Sequence, residues 1–203
     1  MSHVALVGDS VFDNLVYVQP EPDVQRQLRD ALPDGWKVTL AAIDGSVTDD
    51  VSGQLEGLPK EVSHIVLSVG GNDALQNMGI LSEQVSTVAE GLSLLNGVVT
   101  EFQKAYSQML QDLVSTKIPA TVCTIYHPQF DPTFQRVALM ALSLFNDVIL
   151  TEAMQMHLPV LDLRQIFDEA SDYANEIEPS AHGGEKMATA IAAIVSGNAA
   201  NVE

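Results

Sequence analysis

Short runs of aliphatic and β-branched residues alternate along the chain with longer stretches whose apolar positions recur at helical spacing. The runs at 3–7, 36–43, 63–69, 118–125 and 159–163 have the length and continuity of strands buried on both faces of a parallel sheet. Between them the pattern predicts a helix over 13–32, loosened by Pro20 and Pro22, and a short one that ends by Gly57-Leu58-Pro59. Residues 98–115 form a clear amphipathic helix, with a stripe through Phe102, Ala105, Tyr106, Met109, Leu110 and Leu113. Further helices are expected at 134–156 and 183–195. Residues 74–97, broken by Gly79, Gly91 and Gly97, read as loop and short helix. Strand and helix in alternation mark a layered α/β domain. No repeat, linker or low-complexity tract interrupts it, so residues 1–203 read as one domain.

Composition narrows the picture mostly by exclusion. With 46% hydrophobic and 18% charged residues, the chain is globular rather than disordered. A net charge of −18, with only 9 Lys and Arg, argues against nucleic acid and anionic membrane surfaces as partners, because phosphate binding needs clustered cations. It also disfavours a polyanionic substrate. The single cysteine, Cys123, allows no internal disulfide and reads as a small buried hydrophobe. The first strand begins almost at the first methionine, without a basic and then apolar leader. The longest apolar run, 137–150, is interrupted by Ser143, Asn146 and Asp147. A cytoplasmic location and no membrane span are therefore expected. No His, Cys and Asp cluster has metal-ligand spacing, and no phosphate-cradling glycine turn precedes a lysine, so neither metal nor cofactor is expected.

Three glycine-containing turns follow three consecutive strands: Gly8-Asp9-Ser10, Asp44-Gly45-Ser46 and Gly70-Gly71-Asn72-Asp73. Each alone is unremarkable, since Gly, Asn and Asp are the usual turn residues, and Ser10 by itself reads as a helix N-cap. Together they lie on the carboxyl edge of one parallel sheet, where such sheets gather their ligands. That edge would present a hydroxyl, a glycine N–H and a side-chain amide. Those are the parts of an acyl-transfer site, a nucleophile with donors for a tetrahedral oxyanion.

The three blocks resemble those of the SGNH, or GDSL-like, hydrolases, and the order of strands and helices matches along essentially the whole chain. The resemblance implies a flavodoxin-like, three-layer α/β/α fold with five parallel strands in the order 2-1-3-4-5. It implies an esterase, lipase, thioesterase or deacetylase reaction on a small ester or acyl substrate. On that resemblance Ser10 is the nucleophile, and its own N–H, the Gly45 N–H and the Asn72 amide form the oxyanion hole. Asp9 and Asp73 in the same turns are expected to border the substrate; His127, in the loop after the fourth strand, lies on the same edge and either lines the substrate pocket or is an ordinary loop histidine.

The last block departs from the family pattern of Asp-x-x-His. Aligning Pro179, Ser180, Gly183 and Met187-Ala188 with the family spacing puts Glu178 where the histidine belongs and Asn175 where the aspartate belongs. In one reading Glu178 is the base, its pKa lifted by burial and its carboxylate served by the neutral Asn175 amide. In the other, His182, four residues on, swings in as the base and pairs with Glu178 about one turn away. The structural alternatives are a Glu178 that serves only the helix start and a His182 on the surface. Asp13 and Asn14, one turn after Ser10, support its loop or face solvent. The competing function is a binding module that kept the pocket and lost efficient catalysis; missing basic residues and metal ligands disfavour phosphoester chemistry.

Overall fold

The computed structural model describes residues 2–197. Five strands, β1 (His3–Gly8), β2 (Lys37–Leu40), β3 (His64–Ser68), β4 (Ala120–Cys123) and β5 (Val160–Leu161), form one parallel sheet in the order β2-β1-β3-β4-β5. The helices are α1 (Leu15–Val18), α2 (Val24–Ala31), α3 (Val51–Glu56), α4 (Gly71–Gln76), α5 (Val88–Ser115), α6 (Pro132–Gln155) and α7 (Ala181–Val195). They cover both faces of the sheet, as the continuous apolar runs of the central strands require. Val4 and Leu6 of β1 point toward α2 and α7, where they meet Leu28, Met187 and Ile191. Ala5 and Val7 point the other way, into a second core with Tyr106 and Leu110 of α5 and Ile149 of α6. This alternation is the period of a strand expressed on two buried faces.

Several boundaries differ from the pattern-based reading. The helix expected over 13–32 is two helices, α1 and α2, parted at Pro20 and Pro22; Asp23 caps the second by accepting from the Arg26 N–H. Strand β5 is only two residues long, and β2 stops at Leu40 rather than at 43. The largest difference is α5, which starts at Val88 and runs 28 residues through Gly91 and Gly97. A helical glycine costs about 1 kcal/mol relative to alanine. Here the Thr87 side chain accepts from the Glu90 N–H at the helix start, and the helix packs along α6. The 24-residue α6 has the length and mean hydropathy, 1.6, of a membrane-crossing helix, yet it buries Ala138, Leu142, Phe145 and Ile149 in this protein's core.

One glycine is indispensable to the topology. Gly8 has φ +131°, and a Cβ there would stand 1.8 Å from the Ser68 carbonyl oxygen. The ends of β1 and β3 thus touch main chain to main chain. Gly8→Ala is expected to lower stability by about 3 kcal/mol or more in urea unfolding, since both backbone conformation and contact forbid the methyl group. Gly97→Ala, exposed on α5 with open space around its Cβ position, is expected to raise stability by about 0.5–1 kcal/mol in the same measurement.

Candidate active site

Ser10 sits in the turn directly after β1, 8% exposed, and its Oγ donates to Glu178 Oε1 at 3.1 Å. The two residues are 168 positions apart in sequence. Glu178 is 5% exposed, and its second oxygen, Oε2, has no partner among the described residues. It stands in a loop that precedes α7 and is tied down at several points. The Glu178 carbonyl accepts from Ala174 N at 2.8 Å, Tyr126 OH donates to the Ile177 carbonyl, and Tyr173 pairs with Pro179 in an isolated bridge. Asn14, fully buried, accepts from Val24 N and reaches toward the Pro179 carbonyl, 3.5 Å away. It ties the start of α2 to the loop that carries Glu178.

Asn175 acts differently from the sequence expectation. Its Oδ1 accepts the N–H groups of Ile177 and Glu178, both at 2.9 Å, so it shapes the main chain of the turn rather than donating to the carboxylate. His182 is not placed to be the base. Ser180 caps α7 by accepting from Gly183 N, which starts the helix at Ala181 and turns residue 182 toward the loop before it. There the half-exposed imidazole lies 2.9 Å from Glu169 Oε1 and 3.9 Å from Asp172 Oδ1. Sequence spacing gave no sign of this Glu169, Asp172 and His182 group, whose ligand-type atoms lie within 4.8 Å of one another. Lys186 Nζ already bonds both Asp172 oxygens.

The other two turns are held against the first. Asn72 Nδ2 donates to the Ser46 carbonyl at 2.9 Å, which brings the amide beside the Ser46–Val47 peptide and leaves its second N–H free for a ligand. Gly45 has φ +82° with open space around it. Neither Gly45 N–H nor Ser10 N–H has a partner among the described residues. Asp13 accepts from Asp44 N at 3.0 Å and Tyr17 OH donates to Asp44 Oδ2 at 2.8 Å, so α1 and the turn before it position this loop. Asp73 does not border the cavity. Placed one residue beyond Asn72 on the first turn of α4, it accepts from Thr48 N at 3.1 Å and braces the same loop. Burial raises its pKa, opposed by the Thr48 hydrogen bonds.

Two buried amides that carry no sequence signature close the strand ends. Gln54 of α3 accepts from Gly8 N at 2.7 Å and donates to the Gly8 carbonyl at 2.8 Å and to Ser46 Oγ at 3.2 Å. Asn146 of α6 does the same for Ile125, with both bonds at 2.8 Å. In the sequence these residues look like polar interruptions of apolar helices. Only the topology shows them satisfying main-chain groups that the sheet leaves open.

Ser10, Asn72, Asp9 and Glu178 open onto a cavity of about 120 Å³. Its walls are apolar: Leu75, Ile80 and Leu81 come from α4 and the turn after it, Leu95 and Val99 from α5, and Leu142 and Phe145 from α6. His127 is not among them. Its side chain is exposed, and the extended loop after β4 turns its neighbours Tyr126, Pro128 and Phe130 inward instead.

The electrostatics of this pocket are those of carboxyls without a cation, since no Lys or Arg among the described residues lines it. Asp9, 3% exposed, has its pKa raised to about 7, chiefly by burial and further by the charges of Glu178 and Asp73, against a hydrogen bond from Val11 N. Burial likewise lifts Glu178 above the usual glutamate range, opposed by the Ser10 hydroxyl and reinforced by Asp44.

The molecule is thus a three-layer α/β protein, a parallel five-stranded sheet with helices on both faces, that carries a serine paired with a carboxylate at the sheet's carboxyl edge, where such sheets gather their ligands. Residues 6–186 match the GDSL-like lipase/acylhydrolase family, and the chain belongs to that family. Among solved structures it resembles phospholipase A1 from Streptomyces albidoflavus at 16% identity, TM-score 0.65, over 97% of this chain and 98% of the other. It resembles an acetyl xylan esterase at 20% identity, TM-score 0.69, over 95% and 99%. An extracellular lipase from Streptomyces rimosus aligns at 18% identity, TM-score 0.65, over 97% and 99%. No curated protein matches the chain.

Asp9 provides a test of the charge balance. Its pKa is higher in the fold than the ordinary 3.8, so native stability is full below that value and declines as pH rises to about 7. Asp9→Asn removes this loss, and its stability advantage in urea is expected to widen between pH 4 and pH 7 by on the order of 4 kcal/mol, then level off.

Proposed function

We propose that the protein hydrolyses carboxylic esters, with Ser10 as nucleophile and Glu178 as its general base. The observation that carries this reading is the Ser10–Glu178 hydrogen bond, made by two buried side chains at the carboxyl edge of the sheet. Ser10 Oγ attacks the ester carbonyl while its proton passes to Glu178. Negative charge develops on the carbonyl oxygen against the N–H groups of Ser10 and Gly45 and the Asn72 amide. Collapse expels the alcohol, which takes the proton back from Glu178. A water then attacks the acyl-enzyme, gives its proton to Glu178, and Ser10 regains a proton as the acid leaves. A raised carboxyl pKa makes Glu178 a stronger base than an exposed glutamate, which compensates for the missing imidazole. The acidic groups and scarce cations favour a neutral small-molecule ester over an anionic one.

Fluorophosphonate labelling and turnover of p-nitrophenyl butyrate test the roles. Ser10 is expected to take the label, Glu178→Gln to lower kcat/KM by about 10²–10⁴-fold, and His182→Ala to leave it unchanged. The opposite pattern moves the base to His182, and a protein that neither labels nor turns over esters is a binding module with an intact pocket. Turnover is expected to rise with pH as Glu178 ionises. It should fall through about 7, where ionised Asp9 places a second negative charge beside the developing oxyanion.

A further inference from the structure

Building on the ester-hydrolase reading, we infer that Asp9 anchors a positively charged group of the substrate, and that the preferred esters carry an alkylated ammonium on an apolar body. Two buried carboxyls, Asp9 at 3% exposed and Glu178 at 5%, stand on one cavity wall without a cationic side chain among the described residues. Each keeps one oxygen without a hydrogen-bond partner among those residues. These are Glu178 Oε2 and Asp9 Oδ2, whose sister oxygen accepts from Val11 N at 3.1 Å. Asp9 Oδ2 is also the atom that a Cβ built at Gly71 would meet, at 4.0 Å, so the missing side chain leaves the approach to this oxygen open. Of the two carboxyls, only Asp9 can act as a lasting counter-ion. Glu178 receives the Ser10 proton and is neutral while the acyl-enzyme forms.

The rest of the wall decides what kind of cation fits. Tyr126, Phe130 and Phe145 stand there among aliphatic side chains, and the Tyr126 hydroxyl is already bonded to the Ile177 carbonyl. A metal ion or a primary ammonium would leave ligand positions or N–H donors unmet against such a surface. A quaternary ammonium has no donor to satisfy, spreads its charge over methyl groups, and is attracted to aromatic faces as well as to a carboxylate. The other ionisable groups around Asp9 supply no competing positive charge. Glu178 and Asp73 are acidic, and burial, followed by the nearby carboxyl charge, keeps Cys123 and Tyr126 protonated. Burial has already raised the pKa of Asp9 to about 7, and an ammonium beside it pulls that value back down. The cation also offsets the charge of ionised Asp9, so turnover of a cationic ester keeps its value above that pH while turnover of a neutral one declines.

The test compares esters of matched shape that differ in charge. One pair is butyrylcholine and 3,3-dimethylbutyl butyrate; the other is p-nitrophenyl 4-(trimethylammonio)butyrate and p-nitrophenyl 5,5-dimethylhexanoate. Salt at about 0.5 M screens the field of the whole acidic chain and leaves a buried contact largely intact. In at least one pair the cationic ester is expected to have a kcat/KM about tenfold or more higher at pH 8. That ratio is expected to fall toward one at pH 5, where Asp9 holds its proton, and to stay near one at both pH values in Asp9→Asn. If Asp9→Asn fails to fold, the pH comparison on the unaltered protein decides. Ratios near one in both pairs at pH 8, with turnover still lost in Ser10→Ala, overturn the cation site and leave the hydrolase reading standing. A preference that persists undiminished at pH 5 or in Asp9→Asn overturns Asp9 as the anchor. If no ester is turned over, the hydrolase reading fails and the site is read by calorimetric binding of choline and its neutral isostere 3,3-dimethylbutanol. Tighter binding of choline at pH 8, lost at pH 5, supports the site; equal or absent binding overturns it.

Discussion

The site depends first on how closely the ends of β1 and β3 approach. Gly8, lacking a side chain and at positive φ, lets its main chain lie against the Ser68 carbonyl. Asp9 N then donates to that same carbonyl at 3.2 Å. The turn that carries Ser10 and the helix start that carries Asn72 consequently leave the sheet side by side. Gln54 extends the constraint to the second strand by bonding both Gly8 peptide groups and the Ser46 hydroxyl. Three loops from three parts of the chain are thus fixed to one strand end by close contact and buried hydrogen bonds. This preorganisation holds the Ser10, Ser46 and Asn72 turns in one fixed arrangement at the carboxyl edge of the sheet.

Electrostatics supply the second constraint. Asp9, Asp73 and Glu178 are drawn into one region with no arginine or lysine among the described residues on the cavity wall, and burial raises the pKa of each. In this setting the pairing of Asn175 with Glu178 is chemically coherent. An aspartate at 175 could accept the same two main-chain N–H groups, yet it would bring another negative charge next to a carboxylate that is already poorly solvated. The neutral amide shapes the turn without that repulsion. Glu178 keeps one oxygen on Ser10 and one unpartnered, an arrangement suited to receiving a proton.

Much of the fold was legible because parallel strands buried on both faces must be continuously apolar, as β1 and most of β3 are, while the edge strand β2 alternates Lys37 and Thr39 with Val38 and Leu40. The strand order came from the resemblance carried by the Gly8, Gly45 and Gly71-Asn72 turns, not from periodicity. What misled was glycine: Gly91 and Gly97 suggested loop, but α5 starts at the Thr87 cap and continues through both into the stretch from Phe102 that packs in the core. At the site, the pairing of Ser10 with Glu178 was anticipated by aligning the last block. A His182 on the surface was among the readings the sequence offered; it did not decide the places of His127 and Asp73, because one residue's displacement along a loop or helix start reverses the direction of a side chain.

The sequence by itself determined the layered α/β class and the glycine-containing turns that close the first three strands. These follow from local pattern and spacing, which the chain carries irrespective of how its parts meet. Tertiary structure alone decided that Gln54 and Asn146 are clamps, that His182 faces Glu169, and that the α4–α5 segment and α6 enclose an apolar cavity beside the serine. Each of those is a contact between residues far apart in sequence, chosen by burial and by the need to satisfy main-chain groups, and neither leaves a periodic trace along the chain.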